Sequence, residues 1–105
     1  NPRETQISEV QITNPYEDLA NAIVIQAVKD YRQALRFLKH HPHTPDIDTE
    51  EAKANKHKRV LRNKILEHEC ERDDIERFFR SGWFETLSNL DGETLLGQIR
   101  AMEVL

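Results

Sequence analysis

Residues 14–40 read NPYEDLANAIVIQAVKDYRQALRFLKH, and this stretch decides the fold. Asn14 is placed to cap the free amides of a helix start. Pro15 suits the first helical position, and Glu17 follows three residues after the cap. From there Ala20, Val24, Ala27, Tyr31, Ala34 and Leu38 recur at spacings of four and three, which is one face of a helix. Ile23, Val28, Leu35 and Phe37 widen that face, so the helix should touch neighbours on more than one side. No glycine or proline interrupts it before His40.

His40-His41-Pro42-His43-Thr44-Pro45 ends the helix, because the prolines lack amide donors and restrict the residues before them. A second start follows. Asp48 with Glu51 three residues on is one capping pattern, and Thr44 before Pro45 is the alternative. The helix from about 49 to 70 has a thin apolar stripe of Ala54, Leu61 and Ile65, with His57 and His68 on the same side. Asp73 offers a further cap, so either a helix restarts there, with a break or kink near 71–73, or one long helix runs from 49 to about 80; the capping pattern favours the break. Ile75, Phe78, Phe79, Trp83, Phe84, Leu87 and Leu90 form the apolar heart. Ser81-Gly82 divides it into short helices at about 73–80 and 82–89. Asp91 is placed to cap a final helix, with Leu95, Leu96, Ile99, Met102 and Val104 on its inner side and Phe37 joining the aromatic group.

The expectation is an all-α fold: a small helical bundle with two long helices (about 15–40 and 49–70) and two to three short C-terminal helices. Residues 1–13, with Ile7, Val10 and Ile12 among polar neighbours, read as a flexible or docking arm. Residues 14–105 read as a single helical domain. A chain of 105 residues with 37% apolar and 32% charged side chains supports one modest core. Three glycines and four prolines are few enough to favour helix throughout.

The net charge of −4 argues against general nucleic-acid binding. No apolar run approaches the ~20 residues of a membrane span. No signal peptide is visible, although the chain starts at Asn1 rather than Met. The lone Cys70 rules out an internal disulfide framework and fits a reducing cytoplasm.

The histidines raise a metal reading. His40, His41 and His43 cluster in a loop, and His68-Glu69-Cys70 sits on a helix. Zinc needs three or four converging ligands, and residues two apart on a helix diverge. A Cys-His nucleophile would need a base beside Cys70, whose sequence neighbours Glu69 and Glu71 disfavour a thiolate. The carboxylates from Glu67 to Glu76 read as solvated charge. No catalytic residue, metal site or cofactor is therefore assigned, and the chain reads as a non-enzyme.

Two surfaces remain. Lys53, Lys56, Lys58, Arg59, Arg62 and Lys64 form a segment with no acid. It carries +6, so a net charge of −4 leaves −10 elsewhere. This asymmetry suits phosphates or an acidic partner, but no aromatic is interleaved for base stacking. A helix-turn-helix reading of 73–103 leaves Arg100 as the last helix's single base, too little for a recognition helix. The second surface is aromatic. Phe78, Phe79, Trp83 and Phe84 are more rings than one short helix face hides, which places Phe79, Trp83 or Phe84 at a partner or oligomer interface.

The first helix, YEDLANAIVIQAVKDYR at 16–32, together with IERFFRSGWF at 75–84 and Asp91-Gly92-Glu93, resembles a group of small uncharacterised proteins. These occur in phages, prophages and integrative elements of Gram-positive bacteria. The resemblance covers about half the chain, and 41–72 departs from it like an insertion. It implies a mobile-element accessory protein in the bacterial cytoplasm, binding a host or defence component, with no catalytic residues to carry over. A protein partner or self-association leads, nucleic acid is the alternative, and no membrane is implied.

Overall fold

The computed structural model describes residues 15–104. The arm at 1–13 and the Asn14 cap lie outside the described residues. Five α-helices and one 3-10 turn make up the rest, with no strand among the described residues: α1 Pro15–His40, the 3-10 turn Pro45–Asp48, α2 Glu50–Ala54, α3 Lys56–Phe79, α4 Gly82–Leu87 and α5 Gly92–Val104. The all-α fold expected from the sequence is present.

α1 and α3 run antiparallel. Phe37 stacks on His68, while Tyr31, nearly two turns earlier on α1, reaches Glu76, two turns later on α3. α5 runs parallel to α1, since Arg100 meets Tyr31 and Glu103 meets Arg32 and Arg36. The short α4 closes the end where α1 begins and α3 finishes. The core is Val24, Tyr31, Phe79, Phe84, Leu96 and Ile99. Its rings meet edge to face, Phe79 on Phe84 at 5.2 Å and Tyr31 on Phe79 at 6.4 Å, the geometry that the ring quadrupole favours. Burying each Phe side chain removes enough apolar area to contribute about 2–3 kcal/mol before entropy is subtracted.

The stripe on α1 lies where its spacing puts it, with Ala20, Val24, Tyr31 and Ala34 buried. Ser81 caps α4 by accepting from the Phe84 amide, and Asp91 caps α5 by accepting from the Thr94 amide at 3.0 Å. Gly92 opens α5 against the end of α3. A Cβ there would sit 1.9 Å from the Phe79 carbonyl oxygen, so only glycine fits.

Four expectations are corrected. The break near 71–73 is absent, and α3 is continuous from Lys56 to Phe79. The turns around Asp73 keep Ile65, Glu76 and Phe79 on the side that α1 and α5 cover, and a restart would lose that register. The interruption falls instead at Asn55, whose backbone is extended and whose side chain accepts from the Lys58 amide at 3.1 Å. Asp48 is not the cap of the second helix. Thr49 is, accepting from the Ala52 amide at 3.1 Å. Among the apolar residues, Phe37 leaves the aromatic group to stack on His68 at 3.9 Å, and Leu90 and Met102 are exposed.

With Phe37 level with His68 and α1 ending at His40, the turns of α3 before Ile65 lie beyond the end of α1. The 3-10 turn and α2 pack along α3 and bury Ile47 and Ala52.

Candidate interaction surfaces

The aromatic end is built by α4. Ser81 turns the chain, and the next two side chains diverge. Phe84 is fully buried, whereas Trp83 is 58% exposed and rests edge-on against Phe78 at 5.7 Å. Of the three rings expected at an interface, then, Phe79 and Phe84 belong to the core, at 1% and 0% exposure, and Trp83 alone reaches solvent. Counting rings per helix face overestimated the exposed surface, because α1 and α5 both close over Phe79. Tyr16, Leu19 and Leu90 are also exposed at this end of the bundle. The first turns of α1 line a shared surface hollow with Thr86, Leu87, Ser88 and Asn89.

The basic end is the first part of α3. Every residue from Lys53 to Val60 is exposed. Lys53 approaches Glu50 at 3.8 Å, and Arg62 donates to Asp48 at 3.2 Å. Lys56, Lys58, Arg59 and Lys64 have no carboxylate partner among the described residues. Five of the six cations share the first part of α3, and Lys53 lies on the adjoining α2.

Between these ends lies a polar junction that pattern reading missed. Tyr31 is wholly buried, yet its hydroxyl donates to Glu76 Oε2 at 2.8 Å and accepts from Arg100 Nε at 2.9 Å. Arg100 Nη2 donates to the same Glu76 oxygen at 2.9 Å. Burial pushes the Tyr31 hydroxyl pKa up, and the bond to Glu76 adds to it. Burial works against the charge on Glu76, but the donors Arg100 and Tyr31 outweigh it and hold its carboxyl below the usual range. The junction ties three helices at one point, and Arg100 is taken up inside it rather than offered outward. A tyrosine set among alanines on a core face was the one available signal, since a buried hydroxyl needs a partner. A groove of about 510 Å³ beside the junction is lined by Leu35, Lys39, Arg72, Glu76, Arg100 and Glu103. Its charges are largely paired already: Glu103 accepts from Arg32 and Arg36, and Arg72 donates to Asp73.

The histidines and Cys70 do not converge. His43 has a carboxylate at each ring nitrogen, Glu69 at 2.9 Å and Asp48 at 2.8 Å. The bonds to Glu69 and then Asp48 raise its pKa above the ordinary histidine value. His68 lies flat on Phe37 with Nδ1 at 2.7 Å from the Lys64 carbonyl, and Cys70 is exposed on α3. Among the described residues no group of three or more His, Cys, Asp or Glu could hold a metal ion. Among the described residues no helix is long and apolar enough to cross a membrane. Comparison with protein-family models, curated proteins and solved structures finds no match to this chain.

Proposed function

We propose that this chain is a non-enzymatic helical binding protein, an accessory protein of a phage or mobile element that acts on a host or defence component in the bacterial cytoplasm. Trp83 carries the binding reading. A tryptophan held at 58% exposure by an edge-on phenylalanine is a rigid amphipathic anchor, the residue type over-represented where interfaces concentrate their energy. The exposed Tyr16, Leu19 and Leu90 at the same end extend the apolar surface available to a protein partner. The resemblance of residues 16–32 and 75–84 supports the mobile-element setting. Affinity capture from a Gram-positive host lysate tests the reading, with wild type beside Trp83→Ala. A partner held by wild type in fixed stoichiometry and lost by Trp83→Ala at unchanged thermal midpoint supports it. Equal retention by both proteins, or none by either, overturns it.

A second reading is favoured by one observation, the exposed cations Lys56, Lys58, Arg59 and Lys64 toward the start of α3, which have no carboxylate partner among the described residues. On this reading the chain contacts nucleic-acid phosphates. Fluorescence anisotropy with a labelled duplex should show binding that weakens steeply between about 50 and 200 mM salt. Binding unchanged by joint replacement of Lys58, Arg59 and Arg62 with Glu removes this reading.

A further inference from the structure

The segment from Pro45 to Ala54 is a strap with a chemistry of its own. It carries Asp46, Asp48, Glu50 and Glu51 against the single base Lys53. Its buried side chains are Ile47 and Ala52, and the 3-10 turn and α2 that hold them both pack along α3. The part of α3 beneath has the opposite character. Lys56, Lys58, Arg59, Arg62 and Lys64 lie there with no acid among them. Leu61 and Ile65, four residues apart on one face, are half-buried and buried. Leu61 lies beyond the end of α1, so the strap is what covers it. An acidic segment with two apolar anchors is seated on a basic helix with two apolar positions.

The strap fills this surface incompletely. Asp48 accepts from Arg62 at 3.2 Å, and Glu50 meets Lys53 within the strap itself. Among the described residues no carboxylate pairs with Lys56, Lys58, Arg59 or Lys64. The strap is also separable. Ile47, Ala52 and Ile65 stand apart from the core of Val24, Tyr31, Phe79, Phe84, Leu96 and Ile99. Its polar ties to α3 run through Asp48 to Arg62 and through His43 to Glu69.

We propose that the first turns of α3 are a docking site for an acidic amphipathic segment of a protein partner, and that the strap is its occupant in cis. The seated strap specifies the partner's chemistry: carboxylates along a short helix, with apolar side chains turned toward Leu61 and Ile65. A partner segment of that kind displaces the strap by covering the same two residues and by meeting cations that the strap leaves without a carboxylate. It competes against a tethered segment, whose effective concentration is on the order of millimolar. A nucleic-acid strand would meet the cations, but its phosphates make no use of Leu61 and Ile65, and no aromatic side chain lies among the cations to stack on bases. The apolar pair therefore favours a protein segment. The site lies at the end of α3 away from Trp83, and neither surface requires the other.

The test uses a peptide with the sequence of residues 44–54 and two variants of the full chain. In one variant a glycine-serine linker of equal length replaces 44–54. In the other, Ile47→Ser with Asp48→Ser loosens the strap and leaves the chain otherwise intact. Titration of the isotope-labelled proteins, followed by amide chemical shifts, is expected to show the peptide moving residues 56–65 of both variants. Wild type, whose site is filled, should need at least about tenfold more peptide. A peptide carrying Ile47→Ser should bind at least about tenfold more weakly than the native one. A short DNA duplex is expected to move the amides of the cations without those of Leu61 and Ile65. Absence of shifts at 56–65 in both variants overturns the proposal, as does wild type binding as well as they do. Undiminished binding of the Ile47→Ser peptide overturns it too. Saturable movement of Leu61 and Ile65 by the duplex would assign the site to phosphates instead.

Discussion

Around the last turns of α3, Phe79, Phe84, Tyr31 and Leu96 are each at 1% exposure or less, and three other helices surround them. Around its first turns every side chain from Lys53 to Val60 is exposed, and the 3-10 turn and α2 cover one side through Ile47 and Ala52. One uninterrupted helix therefore runs between two regimes. Apolar area and close packing hold the aromatic end, so it should unfold with the whole molecule. Caps and charged clamps hold the basic end, so it should answer to pH and salt and open by itself.

The largest expected effect is Gly92→Ala. The added Cβ would meet the backbone oxygen of Phe79, which no side-chain rotation relieves. We expect a loss of at least about 3 kcal/mol, a large share of the roughly 5–10 kcal/mol available to a domain of this size. Thermal unfolding followed by circular dichroism measures it. Gly82→Ala is the control, because nothing lies within 4 Å of its Cβ position and alanine suits a helix. Equal destabilisation by both variants would break the claim that packing, rather than propensity, holds this end.

A smaller and purely local effect is expected at His43. Its two carboxylate partners are both satisfied by the imidazolium, which donates from each nitrogen. The folded pKa of His43 lies above its unfolded value. The clamp is therefore complete below the unfolded value and is lost as pH rises through the folded one. Asp48 behaves oppositely. The bond from His43 holds its carboxyl below the ordinary value, so its share disappears as pH falls through that lowered value. Hydrogen-exchange protection of α2 should thus be greatest in mildly acidic solution and decline as pH rises through the raised folded value of His43. In His43→Gln the decline should vanish, with core amides of α1 and α5 unaffected in both proteins. A decline that persists in His43→Gln would remove the clamp from the account.

Asn55→Ala should show the smallest effect. It deletes the side chain that accepts the Lys58 amide and costs about 1 kcal/mol, the usual worth of such a cap. We expect that cost in the exchange protection of α2 and the first turn of α3, with the thermal midpoint of the bundle unmoved. A shifted midpoint would mean that the two ends of α3 unfold together.

These differences also explain what the sequence made legible. α1, the Ser81-Gly82 interruption and the Asp91 cap are local signals, each complete within a few residues, and each appears where its pattern places it. The region 44–74 carries competing local signals of similar strength. Thr49 and Asn55 cap, while Asp48 and Asp73 have the same capping chemistry and do not. Tertiary contacts decide: Asp48 is drawn to His43 and Arg62, and the turns around Asp73 must keep Glu76 facing Tyr31. The surfaces were legible in part. The basic segment is as exposed as its composition suggests, and Trp83 reaches solvent. The burial of Phe79 and Phe84 depends on α1 and α5, which no local count of rings includes. The Tyr31–Glu76–Arg100 junction joins residues 45, 24 and 69 positions apart, beyond any periodicity.

The continuity of α3 has a mechanical consequence. At 24 residues it is a beam about 36 Å long, and a tilt of roughly 10° at one end sweeps the other through about 6 Å. The polar junction at Glu76 ties α3 to α1 and α5 close to the aromatic end, and most of the helix's length runs from there to the charged tip. A partner at the Trp83 end that tilted α3 by a few degrees would move the charged tip by about 2 Å, comparable to a hydrogen-bond length.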